Sequence, residues 1–176
     1  MRRLVMPGLL ALAALCTIPS AASAQGGDTR PAGVKTVGPW EIVQWVRGRT
    51  VSRCTVIRDK RPAGAPSYGI LTDREGMLLS VETNAWTLTP NSAVSVTLAP
   101  KGGAVRQMTA RPVSPQRANV DLGKGELLKV LQGEGRLDVT IGAVKVSLPF
   151  DDFNAARVVF ESCVLNLGKE LRAEQK

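Results

Sequence analysis

RLDVTIGAVKVSL, residues 136–148, is the stretch on which the fold turns. Leu137, Val139, Ile141, Val144, Val146 and Leu148 form an apolar set, and Arg136, Asp138, Thr140, Lys145 and Ser147 a polar one. Successive side chains of a strand point to opposite faces, so a period of two describes a half-buried strand on each side of Gly142-Ala143. Glycine at the first position of a two-residue turn supplies the positive φ of a type II′ hairpin. That turn pairs Ile141 with Val144, Val139 with Val146 and Leu137 with Leu148 on one face. Thr140 then meets Lys145, and Asp138 meets Ser147, on the other. Turn chemistry and hydrophobic pattern specify the same hairpin.

Working outward, AVSVTLAP repeats the alternation, with Val94, Val96 and Leu98 inward and Ser95 and Thr97 outward. Weaker strand signals cover 41–46, 51–57, 67–72, 76–83, 104–110 and 118–122, separated by Arg47-Gly48, the run from Pro62 to Pro66, Pro90-Asn91 and Gly102-Gly103. Many short strands without regular strand–helix alternation predict a mainly β, single-domain β-sandwich or compact β-barrel over residues 39–170. Two helices are expected beside it. GKGELLKVLQG offers Leu127, Leu128, Val130 and Leu131 for a short one. The second follows the hairpin: Phe153, Ala156, Phe160, Cys163, Val164 and Leu167 recur at spacings of three and four, with Gly168 as the stop.

The first 24 residues read as a secretory signal peptide. Arg2 and Arg3 precede an apolar run from Leu4 to Ile18, Pro19 breaks it, and Ala22-Ser23-Ala24 forms a small-residue cleavage site. The run is shorter than a membrane span requires, so no transmembrane segment is expected after cleavage. Residues 25–38, rich in Gly, Pro and charge, read as a flexible leader, and residues 171–176 as a tail. Of the 176 residues, the 152 that remain after removal of the first 24 support one core. Its 23 basic residues fall to 21 without Arg2 and Arg3, against 15 acidic ones, for a net charge of +6. That balance suits weak attraction to an anionic envelope surface and equally suits plain solubility. A periplasmic or secreted location is expected.

Cleavage removes Cys16 and leaves Cys54 and Cys163 in a compartment that permits oxidation. The simplest outcome is one structural disulfide closing a loop of about 110 residues, worth up to roughly 4–5 kcal/mol. The competing reading, a reactive thiol, suits an exported chain poorly.

The absence of histidine removes the commonest general base, the usual zinc ligand and the Ser-His-Asp triad together. No P-loop, dinucleotide fingerprint, CxxC or GxSxG is found, and Gly123-Lys124-Gly125 lacks the spacing of a phosphate loop. No cofactor or metal is expected. Asp151 and Asp152 are the tempting carboxylate pair, and a carboxylate-dependent hydrolase is the enzymatic alternative. Architecture explains them better: one of the two caps the second helix, with Phe150 packing as a hydrophobic staple.

Contact candidates lie elsewhere. In the basic loop RDKRPAGAP, Arg58, Lys60 and Arg61 offer cations for phosphates, with Arg53 nearby. Aromatic interleaving is missing, and export argues against nucleic acid. Trp40 and Trp45 differ by five, so a regular strand places them on opposite faces, one toward the core and one toward a partner.

GPWEIVQW with SRCTVI, then LLSVETNAWTLTPNSAVSVTL, then ELLKVLQGEGRLDVTIGAVKVSLPFDDFNAARVVFESC together resemble the invasion-associated locus B family of proteobacterial exported proteins. The resemblance covers most of the chain after residue 24. It implies a periplasmic or secreted β-rich domain acting at the host or envelope interface, and carries over no catalytic residue. The expected function is therefore non-enzymatic binding, with another exported protein or an anionic envelope surface as partner. An inhibitor or chaperone-like module offering a sheet edge or loop is the further alternative.

Overall fold

The computed structural model describes residues 28–58, 62–123 and 135–171. The chain is mainly β: among the described residues, ten antiparallel strands join in one open sheet, with one helix near the C-terminus. The strands are β1 (Thr29–Val37), β2 (Trp40–Arg47), β3 (Thr50–Arg58), β4 (Ser67–Thr72), β5 (Met77–Glu82), β6 (Val94–Pro100), β7 (Arg106–Ser114), β8 (Arg117–Asp121), β9 (Arg136–Ile141) and β10 (Val144–Pro149). Helix α1 spans Phe153–Val164. The signal peptide at 1–24, the short helix expected within GKGELLKVLQG and the tail from 172 onward lie outside the described residues.

The order across the sheet is β1-β2-β3-β4-β5-β8-β7-β6-β9-β10. Strands β6, β7 and β8 form a meander whose last member returns beside β5, a Greek-key arrangement. The β9–β10 hairpin has the predicted register throughout: Ile141 faces Val144, Val139 faces Val146 and Leu137 faces Leu148. Gly142 has φ 59 while Ala143 keeps an ordinary negative φ, as a type II′ turn requires.

A flat sheet could not bury this chain. Strand β4 and the end of β10 stand six places apart, roughly 29 Å at about 4.8 Å per strand. Yet the Tyr68 hydroxyl on β4 donates to the Pro149 carbonyl at the end of β10. The sheet therefore curls until its inward residues meet in a single core, including Val56, Ile70, Leu79, Val96, Leu98, Val120, Leu137, Val139 and Leu148. An aromatic cluster closes the curl. Trp40 packs against Tyr68, Phe150 and Phe153, with centroids 5.9, 5.4 and 4.9 Å away. Its indole N–H donates to the Asp151 carbonyl at 3.3 Å, and the Arg58 guanidinium lies 5.5 Å from its ring centroid. Burial pushes the Tyr68 phenol well above its ordinary pKa, against a smaller opposing effect of Arg58. The side chain thus stays a neutral donor.

Helix α1 covers the inner face of β2 and β3 with Phe153, Ala156, Phe160 and Cys163, four of the six residues expected on its apolar face. Cys163 is bonded to Cys54 on β3, 109 positions earlier in the sequence, with Cα atoms 6.0 Å apart. The helix begins where the sequence predicts, but not by the expected means. Asp152 occupies the N-cap position at φ 60 and makes no side-chain capping bond. Instead the Phe153 N–H donates to the Phe150 carbonyl at 3.0 Å, and the two rings pack 5.2 Å apart. The turn and the aromatic contact hold the start, so Asp152→Asn should leave unfolding stability in urea within about 0.5 kcal/mol of wild type. A side-chain cap would cost about 1 kcal/mol on loss.

The leader read over residues 25–38 needs correction at Thr29. Residues 29–37 form β1, paired with β2 through a register that shifts between Pro31 and Gly33. Its side chains are almost all exposed, so a reading based on what a segment can bury finds nothing there. Main-chain hydrogen bonds along the edge of β2 order it instead.

Candidate functional site

The strands that bury one face against the core carry a second apolar surface outside. The ladders align Val34, Val43, Thr55, Leu71 and Leu78 in one row across β1 to β5. The next row runs Glu41, Ile57, Gly69, Ser80 and Asn119 across β2, β3, β4, β5 and β8. All of these belong to the face opposite the core. Val34 is 56% exposed and Ile57 36% exposed, while Val43 is buried. Trp45 lies on the same face, and its indole N–H donates to the Thr55 hydroxyl at 3.1 Å, which fixes the ring.

Gly69 shapes the centre of this surface. A Cβ there would stand 2.7 Å from the Val56 carbonyl and 3.1 Å from Ile57 Cγ1, so only glycine lets Ile57 lie across β4. The result is a shallow groove of about 250 Å³ between Trp45, Ile57 and Leu71, edged by Arg53, Glu82 and Arg117. Arg117 forms an ion pair with Glu82 across the β5–β8 ladder. The outer face of the other half of the sheet is polar by contrast. Gln107, Thr97, Thr140 and Lys145 follow one another across β7, β6, β9 and β10. Beside them Asp138 accepts from Ser147 at 2.6 Å, a bond that holds its carboxyl below the usual range, with Lys145 and Arg136 adding to the effect.

The residues singled out from sequence separate accordingly. Trp45 is half-buried on the outer surface, whereas Trp40 is fully buried and cannot line a contact surface. The spacing of five did place them on opposite faces. Arg58 is committed to the closure: its guanidinium donates to the Pro149 carbonyl at 3.2 Å and the Asp151 carbonyl at 3.4 Å. Lys60 and Arg61 lie outside the described residues. Asp151 and Asp152 are exposed at the turn before α1, and Asp151 also packs its carboxylate against Gly135. Among the described residues, no group of three or more His, Cys, Asp or Glu could hold a metal ion.

Sequence reasoning missed Ile57, Leu71, Leu78, Val43 and Val34. A usable signal was present: β2, β3, β4 and β5 carry adjacent apolar pairs, Ile42-Val43, Val56-Ile57, Ile70-Leu71 and Leu78-Leu79. Four neighbouring strands apolar at both parities mark a sheet region with two apolar faces. No protein-family model, curated protein or solved structure matches the chain.

Proposed function

We propose that this chain is an exported, non-enzymatic binding protein that docks another exported protein on the outer face of β2–β5. The reading accords with its resemblance to the invasion-associated locus B family. The observation that carries it is the apolar outer row through Val43, Thr55, Leu71 and Leu78, which ends in exposed Val34 and is flanked by half-buried Trp45 and exposed Ile57. Contiguous apolar surface on a soluble domain marks an interaction site, and an uncharged centre with a polar rim is the anatomy of a protein interface. The rim here carries both signs, Arg53 and Arg117 with Glu41 and Glu82, so a uniformly anionic surface would gain little from it. The pairing Trp45 and Ile57 supplies the aromatic and aliphatic anchors that dominate such interfaces.

The test is retention of envelope proteins on the immobilised chain after removal of residues 1–24. Wild type should retain a defined partner, and Trp45→Ala or Ile57→Ser should weaken it more than tenfold, as for anchor residues at about 2 kcal/mol each. Gln107→Ser, on the polar half, should change nothing. Equal capture by all four proteins, or none by wild type, would overturn the reading. Melting curves confirm that the variants remain folded.

A further inference from the structure

At one end of the sheet, apart from the outer groove, lies a cavity of about 360 Å³. Three elements build it: the start of β1, the β2–β3 hairpin, and the turn from β4 to β5. Each of the last two contributes arginine. Arg47 ends β2, Arg53 stands on β3, and Arg74 sits in the β4–β5 turn, all lining one space.

We propose that this cavity binds a saccharide carrying an anionic group, a phosphate or a carboxylate, with the arginines holding the anion. The first support is what the arginines do not do. Some cations elsewhere are matched: Arg117 with Glu82, Arg136 and Lys145 with Asp138, and Arg157 with Glu161. Arg47, Arg53 and Arg74 make no hydrogen bond or ion pair within the described residues. Two carboxylates, Asp73 and Glu75, share the cavity wall. Asp73 is already engaged, because its Oδ1 accepts the Glu75 N–H at 2.9 Å and the Gly76 N–H at 3.3 Å. That carboxylate closes the turn that presents Arg74. The Arg74 guanidinium in turn rests against Gly168, where any side chain would overlap it.

The second support is backbone. The β2–β3 ladder shifts register between Trp45 and Val46, leaving Ser52 as the extra residue between Arg53 and Val51. Bulges of this kind re-aim side chains next to binding sites. Here the bulge turns Val51 into the core and leaves Ser52 and Arg53 on the cavity wall.

Size and lining then choose the ligand. The volume falls in the range of small-molecule sites, about 300–1,000 Å³, and a bare inorganic ion would leave most of it empty. Thr29 and Thr50 contribute hydroxyls that donate and accept, Ser52 contributes an acceptor because its O–H donates to the Trp45 carbonyl at 3.3 Å, and Glu75 contributes a further acceptor. Hydroxyls with a carboxylate suit the alcohols of a sugar ring, and guanidinium groups suit its phosphate or carboxylate in paired hydrogen bonds. Such a group reaches the site either on a free sugar or on the headgroup of an envelope glycolipid. The inference goes beyond the protein partner proposed for the outer face. Arg53 borders both surfaces, so the test relies on Arg47 and Arg74.

Calorimetric titration of the mature chain with glucose 6-phosphate, glucuronate, glucose and inorganic phosphate, at matched ionic strength, decides it. Both anionic sugars, or lipopolysaccharide micelles in a parallel pull-down, should bind. Glucose and inorganic phosphate should each bind at least tenfold more weakly than the anionic sugars. Binding to micelles alone assigns the glycolipid source, and binding of soluble sugars assigns the free one. Arg47→Gln and Arg74→Gln should each weaken binding roughly tenfold, the scale of one charge-assisted hydrogen bond. Arg111→Gln, exposed on β7, should not. An equal loss in Arg111→Gln would reveal bulk charge, equal binding of inorganic phosphate would remove the sugar, and no binding by sugars or micelles would remove the site. Each of these results overturns the proposal. The same variants should still retain the outer-face protein partner, so the two readings fail separately.

Discussion

Replacing Trp40 with alanine should destabilise the fold by about 4 kcal/mol, within the 3–5 kcal/mol range for truncating a buried tryptophan. The side chain is fully buried and touches three other aromatic rings. Its loss opens a cavity, frees the Asp151 carbonyl from its indole partner and leaves Arg58 without the ring beneath it. These contacts join β2 and β4 to the end of β10, so the substitution acts on the closure of the whole sheet. Against a typical total of 5–15 kcal/mol, such a loss removes a large fraction of the stability. Trp45→Ala, half-buried on the outer face, should cost about 1 kcal/mol or less by comparison. Urea unfolding monitored by circular dichroism measures both. Equal losses for the two tryptophans would contradict the assignment of one to the core and one to the surface.

The disulfide should have an effect of similar size. Cys54 and Cys163 are 109 residues apart, and opening a loop of that length restores chain entropy to the unfolded state worth about 4–5 kcal/mol. The Cys54→Ser, Cys163→Ser pair should lower stability by that order, and wild type should fall equally in reductant. A loss below about 1 kcal/mol would mean that the packing of Phe153, Ala156 and Phe160 alone fixes α1 on the sheet. Alkylation without reductant, read by intact mass, should leave both cysteines unlabelled.

Local pattern made some parts of the fold legible and hid others. Strand β4 begins and ends where its alternation does, and the β9–β10 register follows from a two-residue turn that allows only one pairing. The neighbours β5–β8 and β6–β9 were hidden, because many strand pairs share the same alternation when no short turn links them. Strand β1 was hidden because backbone pairing alone holds it. At the helix start, Asp152 satisfied every local rule for a capping side chain, yet its left-handed backbone gave the role to Phe150. For the candidate site, spacing separated Trp40 from Trp45 but could not assign them. The cavity arginines come from β2, β3 and a later turn, and only their convergence in the fold makes them a group.

On the proposed reading, the outer face of β2–β5 is where this protein meets its partner. Site-specific photocrosslinking in the producing cell tests it most directly, with a benzophenone side chain placed at Ile57 in one strain and at Thr97 in another. Both positions face outward, one in the apolar half of the sheet and one in the polar half. A discrete crosslinked adduct is expected from position 57, abolished by Trp45→Ala, and no such adduct from position 97. The same adducts from both positions, or an adduct from position 97 alone, would contradict it.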